Sequence, residues 1–377
     1  MHIVLLFTFG YSLQLWQKTG SLERELKFYK SLLKSHKVNI TFVTYGDESD
    51  EELVDEFNVI PIYKFIKKRN NKFLEYLQSL YYPILIYKKT NNFNLIKQNQ
   101  LMGSWVAIIL KLISRKKLFI RTGYDMYEFS IKENKKKSTI FLYKLLTFIS
   151  LKFADLYSVS SLCDMNFLNE KFKSTKLEYR PNWVAIEEKL ERNFNDKKQI
   201  LSVGRLENQK NYFEAIESLI GSDYSLTIYG NGSQKNQLLE YAKKNNVHLN
   251  IYEPVGYEEL LKIYKNFDYF ISTSKYEGNP KVILEAQGSG SIVIVKDIPN
   301  NLEIIENGIN GFIYKNPLEI QEIITKLNNN KKLKLEISSN SIKRINEENS
   351  FSKLVDREIL DFKNLHYKLD FYFQFFL

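Results

Sequence analysis

The sequence predicts an α/β protein with two Rossmann-like domains that face each other across a cleft. Its 377 residues are long for one hydrophobic core and sufficient for two. Short apolar runs rich in Ile, Val and Tyr alternate with longer segments of helical period, and this alternation occurs twice. Parallel sheets covered by helices are expected from such a pattern, and their ligands bind at the carboxyl ends of the strands.

Ten short apolar runs are the predicted strands. In the first half they are His2–Thr8, Val38–Thr44, Asn94–Lys97, Lys117–Arg121 and Ala154–Ser158. In the second half they are Gln199–Val203, Ser225–Tyr229, His248–Tyr252, Tyr269–Ser272 and Ser291–Val295. The polar stretch Asn182–Lys198 is the predicted join. We therefore predict domains at 1–183 and 184–350, followed by a helical tail, 351–377, that crosses back to the first domain.

Composition excludes several classes of protein. The single cysteine, Cys163, rules out an intramolecular disulfide and a cysteine-based zinc site, which suits a cytoplasmic location. The opening MHIVLLFTFG lacks the basic region of a signal peptide and fits a buried strand. The apolar segment Trp105–Ser114 includes Lys111 and falls short of the roughly 18 residues that a membrane helix needs.

The net charge of +10 admits three kinds of partner: nucleic acid, an anionic membrane or a phosphorylated substrate. AT-rich coding bias toward Lys, Asn and Ile accounts for it equally well. Basic residues cluster beside aromatic ones in Lys64–Lys89, which suggests peripheral attachment to the inner face of the cell membrane. The alternative for this segment is a solvated helix face.

A helix start is predicted in the segment Tyr276–Gly290, which reads YEGNPKVILEAQGSG. Asn279 suits the N-cap and Pro280 suits the first helical position, so the helix is expected to run from Pro280 to Gln287 and stop at Gly288. The free amides of Lys281 and Val282 would then point out of the N-terminus. Such a terminus favours anions.

Two acids flank this predicted anion site. Glu277 precedes the helix and Glu285 lies more than one turn inside it. Carboxylates do not bind phosphate, but they accept hydrogen bonds from the hydroxyl groups of a sugar and a ribose on either side of a diphosphate. The alternative is that Glu277 complements the helix dipole and Glu285 is a solvated surface residue.

Basic residues follow the predicted strand Gln199–Val203. Gly204 and Arg205 come directly after it, and Lys210 lies five residues beyond Arg205. Cations at the carboxyl end of a strand can clamp a diphosphate. Two solvated charges on a surface loop are the alternative.

Together these segments resemble glycosyltransferase family 4, whose members are retaining enzymes with the GT-B fold. The resemblance rests on GRLENQKN, IYGNGSQKNQL, SKYEGNPKVILEAQGSG and NLEIIENGINGFIY, in the family's order, and on the Glu-x7-Glu spacing from Glu277 to Glu285. It covers essentially the whole second domain. In the first domain it rests on Thr19–Arg24, which looks like the glycine-rich entry to the first helix, and on Asn182 after Pro181.

The resemblance implies roles for individual residues. Arg205 and Lys210 would hold the donor pyrophosphate and the leaving charge, Glu277 would contact the donor sugar, and Glu285 would bind the ribose. We assign catalysis to Glu277, Arg205 and Lys210. The remaining donor-binding candidates are Glu285, Gly20, Gly204, Gly278, Asn279, Pro280, Lys281, Val282 and Gly256.

One departure from the family concerns the first domain. Many relatives have a His after the strand that corresponds to Lys117–Arg121, whereas this chain reads IRTGYDMYEF there. The acceptor-side candidates are therefore Arg121 and Tyr124, together with Asn99 from the loop that leads to Trp105. A simple helix start that packs Trp105 explains that loop equally well.

The expected reaction transfers a sugar from a nucleoside-diphosphate sugar, itself a substrate, to an acceptor hydroxyl on a surface glycan or lipid-linked sugar. No Asp-x-Asp pair is present to hold a metal ion, so we expect no metal and no other cofactor. Arg205 and Lys210 can neutralise the leaving diphosphate. The alternatives are a nucleotide-sugar epimerase of the same fold and a basic nucleic-acid-binding protein, although no nucleic-acid motif supports the latter.

Overall fold

A computed structural model describes residues 1–90, 92–185, 192–195 and 197–373, with the side chains of 368–373 left out. The chain forms two compact units: Met1–Arg180 with Val355–Leu377, and Pro181–Leu354. The boundaries predicted after residues 183 and 350 lie within four residues of these. Part of the predicted join (186–191 and 196) and the end of the aromatic tail lie outside the described residues.

The first unit is built on a seven-stranded sheet with the order β3-β2-β1-β4-β5-β6-β7, in which every pair of neighbours is parallel. Its strands are β1 His2–Leu6, β2 Asn39–Thr44, β3 Asn58–Pro61, β4 Leu95–Asn99, β5 Lys117–Thr122, β6 Leu156–Val159 and β7 Leu177–Tyr179. A 3-10 helix, Glu48–Leu53, precedes β3. Its α-helices are α1 Leu13–Lys18, α2 Leu22–His36, α3 Ile62–Phe65, α4 Lys72–Ser79, α5 Tyr82–Lys89, α6 Ser104–Ser114, α7 Met126–Lys132, α8 Lys137–Phe153 and α9 Leu162–Phe172.

The second unit has a six-stranded parallel sheet with the order β10-β9-β8-β11-β12-β13. Its strands are β8 Gln199–Val203, β9 Ser225–Tyr229, β10 Leu249–Tyr252, β11 Tyr269–Ser272, β12 Ile292–Lys296 and β13 Phe312–Tyr314. Its helices are α10 Tyr212–Glu217, α11 Lys235–Lys244, α12 Tyr257–Lys265, α13 Lys281–Gly288, α14 Pro299–Leu302, α15 Glu319–Asn328 and α16 Lys331–Glu348. The last helix, α17 Phe351–Phe373, passes into the first unit at Val355.

The prediction of two parallel α/β sheets is confirmed, and the ten predicted strands all exist with ends that shift by up to two residues. Three further strands, β3, β7 and β13, were missed. Each has only three or four residues and lies at the edge of its sheet, and β3 ends in Pro61. An edge tolerates proline because one side of the strand needs no ladder hydrogen bond.

Strand order reverses once in each sheet. The chain builds β1, β2 and β3 outward and returns to β4 on the other side of β1; likewise β8, β9 and β10 are followed by β11 beside β8. The loops that leave the two central strands at such a point run in opposite directions, and a crevice opens between them. The fold therefore predicts ligand-binding positions after β1 and β4 and after β8 and β11.

Buried charge fixes α17 to the first unit. The Arg180 guanidinium donates from Nε and Nη2 to the two carboxylate oxygens of Asp361, at 2.7 Å each. Lys97 on β4 pairs with Glu358, and both side chains are buried. Burial lowers the pKa of Lys97, and Glu358 opposes this shift. Removing one partner of such a pair leaves an uncompensated buried charge, which costs about 3–5 kcal/mol.

A second buried cluster is acidic. Asp125 caps α7 by accepting from the Glu128 amide, and the Asp125 amide donates to Asp164 at 3.1 Å. Burial raises the pKa of Asp125 to about 7. Burial, followed by the Asp125 charge and that of Glu128, raises the pKa of Asp164 to about 8, while Lys132 acts in the opposite direction. The native state therefore holds protons that the unfolded chain releases near pH 4.

This cluster predicts that stability falls as pH rises. Between the unfolded pKa and about pH 8 the native state binds more protons than the unfolded state, so each pH unit costs at most about 1.4 kcal/mol per group. We expect the melting temperature to fall between about pH 5 and pH 8, and to fall less in Asp164→Asn. The control is Asp223→Asn, because Asp223 is exposed and its pKa is lowered by Lys198. The prediction would be contradicted if the melting temperature fell equally steeply with pH in Asp164→Asn and in the native chain.

Candidate active site

The basic residues predicted after β8 and the acid predicted after β11 lie close together, at the point where the strand order of the second sheet reverses. Lys210 follows β8, Glu277 follows β11, and these two strands are neighbours. Lys210 Nζ lies 2.5 Å from Glu277 Oε1, and the two side chains are 15% and 8% exposed. The structure thus joins residues that are 67 positions apart into one ion pair at the carboxyl end of the sheet.

Hydrogen bonds tie the loop after β8 to the loop after β11. Thr273 Oγ1 donates to the Lys210 carbonyl at 2.8 Å, and the Lys275 amide donates to the Gln209 carbonyl at 2.9 Å. Gln209 Nε2 donates to the Tyr276 carbonyl at 3.0 Å. These bonds hold the backbone on both sides of the Lys210–Glu277 pair, so the pair forms between two fixed loops.

Glycines allow the loops after β8 and β9 to touch. Gly204 has a φ of +151°. A Cβ on Gly230 would lie 1.9 Å from the Gly204 carbonyl oxygen, and one on Gly232 would lie 2.6 Å from the Leu206 carbonyl oxygen. Sequence reasoning named Gly204 but gave no role to Gly230 or Gly232. The repeated glycine in IYGNGS directly after a strand was the available signal.

The start of α13 corrects one prediction. Asn279 is not the N-cap: the helix runs from Lys281 to Gly288, with Pro280 in the cap position. The Asn279 side chain instead accepts a hydrogen bond from the Asn182 amide at 2.9 Å, and Asn182 Nδ2 donates to the Asn279 carbonyl at 2.7 Å. Asn182 therefore fixes the turn that leads into the helix.

The first backbone amides of α13 lie at the end of the helix that follows Glu277. The amides of Ile283 and Leu284 already donate to the Pro280 carbonyl. The amides of Lys281 and Val282 precede them in the first turn, where N–H groups point along the helix axis toward the preceding loop. The predicted donor amides thus lie at a helix N-terminus that follows directly on Glu277, Gly278 and Asn279.

Both acids of the Glu-x7-Glu spacing are buried. Counted over the whole residue, Glu277 is 6% exposed and Glu285 is 1% exposed. Tyr264 Oη donates to Glu285 Oε2 at 3.3 Å. The alternative in which Glu285 is a solvated surface residue is therefore wrong. Burying a carboxylate costs free energy because the charge loses its contact with water, so a buried carboxylate normally has polar partners. Buried ionisable groups of this kind occur often at ligand-binding sites.

Arg205 differs from Lys210 in being exposed. Its Nη2 donates to Gln209 Oε1 at 3.4 Å, a long and weak bond on the same loop. Gly256 lies after β10 and is the N-cap of α12. Near it, Tyr229 and Tyr252 at the ends of β9 and β10 stack with ring centroids 5.1 Å apart.

In the first unit, the structure pairs two of the three acceptor-side candidates. Asn99 is the last residue of β4, Arg121 is the penultimate residue of the adjacent β5, and the two are register partners. Asn99 Nδ2 donates to Tyr29 Oη at 2.9 Å, and Arg121 Nη1 lies 4.0 Å from Glu358 Oε2. Both side chains are therefore engaged within the unit.

The other first-unit candidates lie on loops. Tyr124 is exposed and stacks on Phe129 with ring centroids 4.8 Å apart. Gly20, with a φ of +69°, lies between α1 and α2, so Thr19–Arg24 leads into the second helix and not the first. Trp105 donates to Ser79 Oγ at 2.8 Å and packs near the start of α6, as the alternative for that loop proposed.

Within the ranges that the structure describes, no three His, Cys, Asp or Glu side chains are grouped so that they could hold a metal ion.

Most of the second unit matches a known protein family. Residues 185–344 match the family model described as Glycosyl transferases group 1. The chain is 30% identical over 120 residues to the UDP-N-acetylglucosamine–peptide N-acetylglucosaminyltransferase GtfA subunit of Streptococcus agalactiae. That alignment covers 30% of this chain and only 24% of the relative, so the chain spans about a quarter of its length. The capsular polysaccharide biosynthesis glycosyltransferase CapM of Staphylococcus aureus is 28% identical over 190 residues, 47% of this chain and 48% of CapM.

Solved structures match nearly the whole chain. Sucrose-phosphate synthase from Thermosynechococcus elongatus superposes with a TM-score of 0.82 at 13% identity, covering 97% of this chain and 99% of that one. Anabaena HepE, in complex with UDP and glucose, superposes with a TM-score of 0.76 at 15% identity, covering 97% and 100%. At these identities the likeness shows the fold, and the predicted GT-B architecture is confirmed.

The assignment to family 4 and the role of the Glu-x7-Glu spacing stay predictions. At the coarser level the comparisons support the prediction of an enzyme: residues 185–344 match the model of group 1 glycosyltransferases, and the chain has the GT-B fold.

Proposed function

We propose that this glycosyltransferase moves a sugar from a nucleoside-diphosphate sugar to a hydroxyl group of a surface glycan or lipid-linked acceptor. The proposed reaction retains the anomeric configuration and needs no metal ion or other cofactor. The observation that carries the proposal is the Lys210–Glu277 pair, which lies on the loops just before the N-terminus of α13. It combines a cation and a helix N-terminus for a diphosphate with a carboxylate for a hydroxylated sugar.

The relatives support the substrate classes. HepE was solved with UDP and glucose, and GtfA is named for UDP-N-acetylglucosamine, which favours a uridine diphosphate sugar as donor. CapM is named for capsular polysaccharide biosynthesis, which favours a glycan acceptor. The single cysteine, Cys163, suits the proposed location in the cytoplasm at the inner face of the cell membrane.

Lys210 would act on the leaving group. As the bond between the anomeric carbon and the phosphate oxygen breaks, negative charge builds up on the diphosphate. Lys210 Nζ is already held in place by Glu277 and by the fixed loop backbone. A preorganised cation of this kind stabilises the transition state more than the ground state, because it needs no reorganisation when the charge develops. Arg205, exposed on the same loop, would approach the diphosphate from the solvent side.

The acceptor proton would leave with the diphosphate. In the proposed step, the acceptor oxygen bonds to the anomeric carbon on the face that the phosphate leaves, and its proton passes to the departing phosphate oxygen. Glu277 would hold the sugar that moves, and Glu285 would hold the ribose. Asn99, Arg121 and Tyr124 remain the proposed acceptor-side residues. No specific observation favours the epimerase or the nucleic-acid-binding alternative.

The metal-free mechanism predicts full activity in a chelator. We expect undiminished transfer in excess EDTA, because Lys210 and Arg205 carry the charge that Mg²⁺ supplies elsewhere. The measurement is the initial rate of sugar transfer with and without EDTA. Loss of activity that Mg²⁺ or Mn²⁺ restores would count decisively against this mechanism.

Lys210→Ala should reduce kcat strongly. Loss of one preorganised contact to the developing charge costs on the order of 3 kcal/mol, or about a hundredfold in rate. The matched control is Lys275→Ala: Lys275 lies on the neighbouring loop, is exposed and donates to Asn208 at 2.7 Å. A similar rate loss in both variants, or none in Lys210→Ala, would remove Lys210 from the mechanism.

Substitution of the two glutamates should affect the binding of two ligands, the sugar nucleotide and the bare nucleoside diphosphate, in different ways. Glu277→Gln should lower kcat and weaken binding of the intact sugar nucleotide far more than binding of the bare nucleoside diphosphate. Glu285→Gln should mainly raise the donor KM and should weaken both ligands, because a ribose contact is similar in ground and transition states. The measurement is a pair of titrations on each variant, with UDP-sugars and with UDP, repeated with other nucleotides.

The ion pair makes these titrations more informative. If Glu277 served only to hold Lys210, Glu277→Gln would weaken the sugar nucleotide and the bare diphosphate alike. If in addition Glu285→Gln spared the bare nucleotide, the assignment of the two acids would be reversed. If neither variant changed either affinity, the donor site would lie elsewhere and the proposed function would fail.

A further inference from the structure

The positive charge of the chain is confined to one part of the first unit. From Ile62 to Lys152 the sequence has 19 Lys and Arg against four Asp and Glu, whereas the rest of the chain has 35 against 40. This segment contains α3 to α8. Without it, the chain is slightly acidic. The net charge of +10 is therefore a local property of these helices.

Two helices of this segment expose their apolar sides. On α4, Phe73 is 68% exposed and Leu74 and Leu77 are about half exposed, while the only buried residue is Ser79. A surface helix normally buries its apolar stripe and exposes its polar one. The pattern of α4 is the reverse of that arrangement.

The same reversal occurs on α8. Phe141 and Leu142 are 63% and 61% exposed, and Leu145 and Phe148 continue the stripe at helical spacing. The buried side of α8 includes Thr147 and Ser150. Ser150 Oγ donates to Ser104 Oγ on α6 at 2.9 Å, so this inner face is fixed by packing. The apolar stripe of α8 therefore points away from the unit's own core.

The two stripes belong to one surface because α4 and α8 both pack at the start of α6. On one side, Trp105 of α6 donates to Ser79 of α4 at 2.8 Å. On the other, Ser104 of α6 accepts the bond from Ser150 of α8. Burial raises the pKa of Tyr76 on α4, and nearby Tyr143 of α8 raises it further. We refer to α4, α5 and the exposed side of α8 as the basic apolar face.

Exposed lysines border this face. Lys67, Lys68, Arg69 and Lys72 precede or begin α4, and Lys88 and Lys89 end α5. Lys135, Lys136 and Lys137 lead into α8, and Lys144 and Lys152 lie along it. Long basic side chains around exposed aromatic and aliphatic groups match the boundary between anionic headgroups and acyl chains. A protein partner with a mixed surface would not need such an excess of one charge.

We propose that the basic apolar face docks the first unit on an anionic phospholipid surface. The apolar stripes of α4 and α8 enter the headgroup region, and the bordering lysines contact lipid phosphates. Among the described residues no helix is long and apolar enough to cross a bilayer, so this attachment lies in the plane of the surface. The proposal rests on the proposed function only in supplying the membrane at which a lipid-linked acceptor would be met.

The test is co-sedimentation of the full chain with vesicles. We expect binding to vesicles of phosphatidylglycerol and phosphatidylethanolamine at low salt, and little binding to phosphatidylcholine vesicles. Two variants should each bind at least roughly tenfold more weakly: one with Phe73→Ser, Leu77→Ser, Phe141→Ser and Leu142→Ser, and one with Lys136→Glu and Lys137→Glu.

Matched controls use the second unit. Leu239→Ser with Leu335→Ser removes exposed leucines elsewhere, and Lys243→Glu with Lys244→Glu reverses an exposed pair at the end of α11. Both controls should bind vesicles like the native chain. Melting temperature and UDP titration on every variant report whether it is folded and whether its donor site is intact.

Three results would overturn the proposal: equal binding to anionic and neutral vesicles, unchanged binding by the two variants, or no vesicle binding by the native chain. In the last case the oligomeric state is informative, because a native dimer that becomes monomeric in the apolar variant would assign the face to a second copy of the chain. If the native chain binds UDP but no vesicles, membrane docking is contradicted and the proposed function is unaffected. If it binds vesicles but no nucleotide, the proposed function is contradicted and membrane docking is unaffected.

Discussion

The ion pair between Lys210 and Glu277 is the contact around which the second unit's site is arranged. It forms because β8 and β11 are neighbours at the point where the strand order reverses, so the loops that follow them share one end of the sheet. Each charge is largely withdrawn from water and therefore needs the other. A diphosphate that binds here would take a share of the lysine, and Glu277 would be free to accept from a sugar hydroxyl. In the proposed mechanism the same pair therefore has two roles: it neutralises two buried charges, and it offers a cation and a carboxylate to a sugar nucleotide.

Close packing of backbone supports that pair. Gly230 and Gly232 let the loop after β9 lie against Gly204 and Leu206 of the loop that carries Lys210, at distances that no side chain would permit. On the other side, Asn182 holds Asn279 and thus the approach to α13. The first unit uses charge for a similar purpose: Lys97 with Glu358 and Arg180 with Asp361 fix α17. Both units therefore rely on contacts between residues that are distant in sequence.

The sequence predicted long, periodic elements well and short or contact-determined features poorly. Five-residue strands with a buried centre, such as Gln199–Val203, were placed correctly, because a run buried on both faces has a distinctive apolar composition. The edge strands β3, β7 and β13 are too short to show any period. Asn279 has every local property of an N-cap, yet its side chain accepts from Asn182, 97 residues away. The Lys210–Glu277 pair and the burial of Glu285 likewise depend on strand order, which spacing alone does not reveal.

The position of the excess Lys and Arg in the chain distinguishes two explanations of its positive charge, which are a bias in base composition and contact with an anionic surface. A bias in base composition raises the lysine content everywhere, and it makes no lysine cluster beside an exposed phenylalanine. In this chain the excess falls between Ile62 and Lys152 and the remainder is slightly acidic. The same segment contains α4 and α8, the helices on which stripes of large apolar side chains are exposed; the residues they bury are Ser79 on α4 and Thr147, Ser150 and Leu151 on α8. Composition bias explains neither that reversal nor its coincidence with the charge. Contact with an anionic, partly apolar surface explains both, because such a surface satisfies the lysines and the apolar stripes together.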